Sequence, residues 1–128
     1  MARTLIKTDA IVLRTMRMGE TSKLATLFTE HHGKLKVTAK GARRPESKFA
    51  GCLEMSWQVH ITCPVRDDRD LHTLTDAETV TARPELLADL RRLSYAAAAC
   101  EMVDRLSLDH VPNSRLYLCL KGVLTGIE

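Results

Sequence analysis

At Arg83-Pro84 the hydrophobic period of this 128-residue chain changes from two to between three and four, and that change constrains its fold more than any composition figure. Upstream, apolar and polar residues alternate as they do in strands. Downstream, apolar residues recur as they do on helix faces. A chain of this length buries on the order of two-thirds of its unfolded surface, so one domain or two small ones fit.

Five strands are predicted upstream. Residues Ile6 to Met16 enclose the run Ala10-Ile11-Val12-Leu13, rich in β-branched side chains, which reads as a strand covered on both faces near its middle. Met18-Gly19-Glu20-Thr21 is a turn signal. Ser22 to Glu30 fits either period, since Leu24, Leu27 and Phe28 suit a helix whereas Leu24, Thr26 and Phe28 suit one face of a strand. Its shortness and extended neighbours favour the strand. His31-His32-Gly33 reads as the turn into a third strand. Glu54 to Cys63 alternates most cleanly, with Met55, Trp57, Val59, Ile61 and Cys63 inward and Glu54, Ser56, Gln58, His60 and Thr62 outward. Pro64 to Asp70 is a polar loop, and Leu71 to Thr81 is a less regular fifth strand. Five short strands in about 80 residues suit a Greek-key barrel of the oligonucleotide-binding (OB) kind.

Pro84 suits a first helical turn, and Leu86, Leu90, Leu93, Ala97, Cys100, Val103 and Leu106 predict one apolar stripe on a helix of about seven turns. Pro112-Asn113-Ser114 interrupts it, Asn113 or Ser114 suits a cap, and Leu116, Leu120, Val123, Leu124 and Ile127 make a second stripe. The expected fold class is α+β: a five-stranded OB-fold barrel over residues 1–82 followed by a helical segment over 83–128, which ends inside its own stripe and reads as an incomplete domain.

Charge is unevenly distributed along this plan. Residues 1–66 hold twelve Lys and Arg against five Asp and Glu, net +7, whereas residues 67–128 hold seven against eleven, net −4. Such asymmetry points the N-terminal half toward nucleic acid or another anionic partner. The densest part is Gly33 to Gly51, with six basic residues and one acid. Lys34, Lys36, Thr38 and Lys40 fall on one face of the predicted third strand, opposite Leu35, Val37 and Ala39. The lysines then recur about every 6.6 Å, roughly twice the spacing of phosphates along one nucleic-acid strand. Gly41 to Gly51 reads as a mobile basic loop carrying Arg43, Arg44 and Lys48. Lys34, Lys36, Lys40, Arg43, Arg44 and Lys48 are therefore candidate phosphate contacts, with Arg14, Arg17 and Lys23 extending the basic surface. The competing reading is a solvated charged face that protects an edge strand from aggregation. Phe49 is the one aromatic placed either to stack on a base or to anchor the loop, while Trp57 and Phe28 read as barrel filling.

Ala10-Ile11-Val12-Leu13-Arg14, Gly19-Glu20-Thr21-Ser22-Lys23, Leu27-Phe28-Thr29-Glu30-His31-His32-Gly33-Lys34, Ala39-Lys40-Gly41-Ala42-Arg43-Arg44 and Leu74-Thr75-Asp76-Ala77-Glu78, with the helix from Tyr95 to Leu106, run in an order that resembles the RecO family of bacterial recombination mediators. The resemblance implies an N-terminal OB barrel, a helical domain and no catalytic residues. It also implies binding of single- and double-stranded DNA, annealing of complementary strands, contact with the tail of single-stranded-DNA-binding protein, and work with RecR to load RecA recombinase. Members of that family normally run to about twice this length, often with a four-cysteine zinc site.

No such site is predicted here. Cys52, Cys63, Cys100 and Cys119 are separated by 11, 37 and 19 residues, without the close pairs that tetrahedral zinc favours, and read as buried or half-buried thiols of a reduced, cytoplasmic protein. His31-His32 reads as a turn and not as a ligand pair. No phosphate-binding glycine loop, nucleophile with its base, or paired-carboxylate site is recognisable, so neither cofactor nor enzymatic activity is expected. No apolar run approaches a membrane span. A protein-interaction adaptor and an RNA-binding OB protein are the alternative functions.

Overall fold

The computed structural model describes residues 3–127. Six strands form one mixed sheet: β1 (Thr4–Met18), β2 (Ser22–Thr29), β3 (Gly33–Ala39), β4 (Gln58–Val65), β5 (Leu71–Thr73) and β6 (Asp76–Thr81), in the order β5-β3-β2-β1-β4-β6. The hydrogen-bonded order is open, yet one segment reaches both edges. The Leu74 amide donates to Thr38 O of β3 at 3.0 Å, and the Thr75 amide donates to Thr62 O of β4 at 3.1 Å. The predicted fifth strand is thus two short strands, because the chain changes partners between Thr73 and Asp76. The α+β, OB-like architecture stands, with six strands in place of five.

The 15-residue β1 organises the sheet: Thr4 to Ile11 pair with β4 and Ala10 to Met18 with β2. An irregularity between Val12 and Arg14 sets Leu13 outside the ladder and lets the long strand curl. The same place explains why β4 starts four residues later than the alternation predicts. Ser56 has φ 77°, and its amide donates to Val12 O at 2.8 Å, so Glu54 to Trp57 is a turn docked on the irregularity. Val59, Ile61 and Cys63 face inward as expected, whereas Met55 and Trp57 are only half-buried and Ser56 and Gln58 are buried.

Two apolar clusters result. Inside the barrel, Ile6, Val12, Leu27, Leu35, Val37, Val59 and Ile61 meet Ala42, Phe49, Cys52 and Leu53 from the connection between β3 and β4. That connection is not a mobile loop. Successive turns, including Arg44 N to Gly41 O (3.0 Å), Ser47 N to Arg44 O (3.0 Å) and Cys52 N to Phe49 O (3.1 Å), fold it into a plug.

The second cluster lies on the outer side of the sheet, where Ile11, Leu13 and Phe28 meet the helices. A 3-10 turn over Pro84–Ala88 precedes α1 (Leu90–Leu106), and Asp89 caps α1 by accepting from the Arg91 and Arg92 amides. The single helix of seven turns is therefore a 3-10 turn followed by a shorter helix. The buried stripe also turns: Ala96, Cys100 and Val103 pack inward, whereas Leu90 and Leu106 are exposed. In α2 (Ser114–Ile127) Asn113 is the cap, its Oδ1 accepting from the Leu116 amide at 3.1 Å, and Tyr117, Leu120 and Leu124 are buried. Phe28 and Tyr117 meet with ring centroids 6.2 Å apart, so Phe28 fills the helix interface and not the barrel. Arg83 is buried and donates to Ser56 O at 3.0 Å where the chain passes from sheet to helices.

The connection between the helices docks on the start of β3. The His110 amide donates to Lys34 O at 3.0 Å, and His72 and His110 place their Nε2 atoms 2.9 Å apart. Gly33 is required at this contact: its φ is 75°, and an added Cβ would lie 2.4 Å from the Val111 nitrogen.

Candidate nucleic-acid interface

The register of β1, β2, β3 and β5 lines up outward-facing residues in rows. One row reads Arg14, Thr26, Lys36, Leu71 and the next reads Met16, Leu24, Thr38, Thr73, with Met18 and Ser22 in a third. Beyond the first row, toward Phe28 and Lys34, the helices cover the sheet; from it outward the sheet is open. The buried hydroxyls of Thr26 and Thr38 make the floor. Met16 (56%), Met18 (37%) and Leu71 (42%) stand exposed above it.

Two hollows bound this face. One, of about 530 Å³, is lined by Met18, Gly19, Thr21, Ser22, Thr38, Lys40, Gly41 and Arg44. The other, of about 380 Å³, is lined by Arg3, Pro64, Arg66, Arg69, Leu71, His72 and Thr73. They adjoin across the pair Thr38 and Thr73. Arg66 is turned toward Asp68, with bonds of 3.1 and 2.9 Å, and the guanidinium holds the Asp68 carboxyl below its ordinary range.

The basic residues predicted from sequence divide between this face and other work. Lys36 is half-buried in the first row, Lys40 and Arg44 are exposed at the first hollow, and Arg14 is largely exposed although it approaches Asp104 at 3.6 Å. Lys34 must be taken out of the set. It shares the outward face of β3, but α1 covers it: it is 9% exposed and its Nζ donates to Asp104 O at 2.8 Å and to Asp104 Oδ1 at 3.1 Å. Phe49 is 4% exposed inside the barrel, so it anchors the plug and presents no ring to a base.

Arg43 is half-buried and donates to Gly19 O at 3.2 Å, pinning the β1–β2 turn. Lys23 ties β2 to the plug through Leu53 O (3.2 Å) and Glu54 (3.4 Å). Lys48 bonds Thr75 O and lies 5.4 Å from the Phe49 centroid. Arg17 is exposed, but it pairs with Lys23 one residue out of phase with Met16 and Met18 and so belongs to the opposite side of the sheet.

Sequence reasoning missed Arg3, Arg66 and Arg69, which gather because the pairing of β1 with β4 brings Arg3 alongside the β4–β5 connection that carries Arg66 and Arg69. It also missed Met16 and Met18. Their signal was present in the alternation at the end of β1, where apolar residues fall on the face that carries Arg14.

Cys52, Cys63 and Cys100 are buried free thiols and Cys119 is exposed. Burial pushes Cys63 up to about 11 and Cys100 up to about 12, which makes both inert as nucleophiles at neutral pH. Among the described residues no three His, Cys, Asp or Glu side chains are grouped to hold a metal ion, and no helix is long and apolar enough to cross a membrane.

The family model for the N-terminal part of recombination protein O matches residues 1–83, and that for its C-terminal part matches residues 87–128. The chain belongs to the RecO family. Curated relatives named DNA repair protein RecO include those of a Thermoanaerobacter species (34% identical over 97% of this chain), Geobacter metallireducens (36% over 95%) and Shouchella clausii (38% over 94%). The chain spans about half the length of these RecO relatives: 49%, 49% and 48% respectively.

Proposed function

We propose that this chain is the DNA-gripping part of a non-enzymatic mediator of recombinational DNA repair. The observation that carries the reading is the open sheet face on which Lys36, Lys40 and Arg44 stand beside Arg14, with Arg3 and Arg69 at the adjoining hollow. Cations spaced along an uncovered face neutralise successive phosphates and release counterions, giving affinity without sequence choice. Residues 1–82 are the nucleic-acid-binding unit and residues 83–128 the start of the helical unit. As the relatives' names suggest, it acts in DNA repair; we further infer that it works in the cytoplasm, on single- and double-stranded DNA, and supports strand annealing. Single-stranded-DNA-binding protein, RecR and a RecA-type recombinase are its proposed protein partners.

Replacing Lys40 and Arg44 together with Ala tests the reading. Affinity for a single-stranded oligonucleotide should fall, and the dependence of log K on log salt should flatten by about 0.7 for each lost contact. An unchanged slope in fluorescence anisotropy would overturn the placement of the phosphate contacts. Competition with RNA of the same sequence separates a DNA role from an RNA role.

A further inference from the structure

We propose that Met16, Met18 and Leu71 form a base-contacting strip, so that a single strand binds the open face with its bases turned onto thioether and aliphatic groups while its phosphates reach Lys36, Lys40 and Arg44. The inference rests on the nucleic-acid reading above and names what that reading leaves out. Three large apolar side chains lie exposed on one sheet face, in rows defined by strand pairing, beside Lys36 and the hollow that holds Lys40 and Arg44. An occupant matched to such a face must offer anionic groups to Lys36, Lys40 and Arg44 and flat apolar groups to the side chains that flank them. Single-stranded nucleic acid has that chemistry.

Among the described residues, no aromatic ring stands in the rows of this face, where single-strand binders usually carry stacking platforms. Phe28, Phe49 and Tyr117 are buried in the two cores, Trp57 sits in the turn docked on Val12, and the exposed Tyr95 belongs to α1. Methionine is a substitute with its own physics. Its sulfur is polarisable and makes favourable contacts with aromatic rings, and its unbranched chain adapts to any base. Met16 and Met18 are one strand repeat apart, about 6.6 Å, roughly twice the rise of stacked bases, so the two thioethers suit alternate bases or an unstacked strand. The Thr38 hydroxyl donates to the Met18 sulfur at 3.6 Å, which holds that side chain over the sheet.

Charge selects among occupants. A second copy laid face to face would oppose the Lys40 and Arg44 of one chain to those of the other, whereas a polyanion neutralises them. A duplex keeps its bases stacked inside, so the strip adds affinity for single strands alone.

The test compares an oligothymidylate with an abasic oligonucleotide of the same length, binding the full chain and the double variant Met16→Gln/Met18→Gln. Both methionines are exposed, so the variant should keep its melting temperature. Expected is a loss of about tenfold for the base-bearing strand, little change for the abasic strand, an unchanged salt slope, and recovery in Met16→Leu/Met18→Leu. Equal binding of both strands by the unmodified chain, or no loss in the Gln variant, overturns the strip and leaves the phosphate contacts standing. Self-association abolished by the Gln variant also overturns it, by making the face a contact between copies. Absence of binding to either strand at low salt would sink the nucleic-acid reading and the strip together.

Discussion

Lys34 and Lys36 stand on the same face of the same strand, one repeat apart, and end in different worlds. At Lys34 the outer sheet face is roofed by α1, and the ammonium is neutralised by Asp104. At Lys36 the roof has ended, and the same face runs on through Leu24, Met16 and Met18 toward Lys40 and Arg44. The covered half is a joint between sheet and helices; the open half is a surface. What decides between them is Asp104, 70 residues downstream of Lys34. A basic residue's role on this face therefore follows from what packs above it, which strand alternation does not encode.

The largest effects should separate the halves by stability. Phe28 is fully buried against Tyr117, and Phe28→Ala should cost about 4 kcal/mol. Met16→Ala, at the exposed end, should stay within about 0.5 kcal/mol. Urea denaturation measures both, and comparable losses would break the division.

The two lysines sharpen it further. Lys34→Ala leaves a mostly covered carboxylate on Asp104 with only the largely exposed Arg14 near it and should cost about 2 kcal/mol, with the salt slope of DNA binding unchanged. Lys36→Ala should do the reverse: stability within about 0.5 kcal/mol and a slope reduced by about 0.7. If Lys34→Ala flattened the slope in a chain that remained folded, the covered end would have to open onto DNA.

Much of this was legible in the sequence. Alternation placed Leu35, Val37 and Ala39 inside and Lys34, Lys36 and Thr38 outside, and the change of period at Arg83-Pro84 marked where the sheet gives way to helices. Local pattern failed where distant segments intervene. The run from Glu54 looked like the cleanest strand, yet Ser56 turns left-handed to meet Val12. The basic loop looked mobile because its apolar residues are few, yet Ala42, Phe49, Cys52 and Leu53 suffice to plug the barrel. The stripe on α1 was rotated because the helix packs with Ala96 and Cys100 inward, small side chains that allow close approach to the sheet and score weakly in a hydrophobic pattern.

The smallest expected effect concerns the latch that holds the α1–α2 connection on the covered half. Burial pushes the His72 imidazole below its ordinary 6.5; the adjacent His110 ring adds to the shift, and Asp109, Asp67 and Asp70 oppose it. A lowered histidine value means that the unfolded chain takes up a proton near 6.5 while the folded imidazole resists until lower pH. The latch is therefore at full strength above pH 6.5, and its contribution is lost as the pH falls through the interval beneath that value. The amide of His110, bonded to Lys34 O, is the reporter. Its hydrogen exchange, corrected for the intrinsic rate, should be steady above pH 6.5 and accelerate as the pH falls below it, whereas amides of β2 should not follow. His110→Asn removes the facing imidazole and should shrink the acceleration. Protection at His110 that is flat through that fall in pH would show that the covered end is held by Lys34, Asp104 and the close approach at Gly33, with the two histidines as passive neighbours.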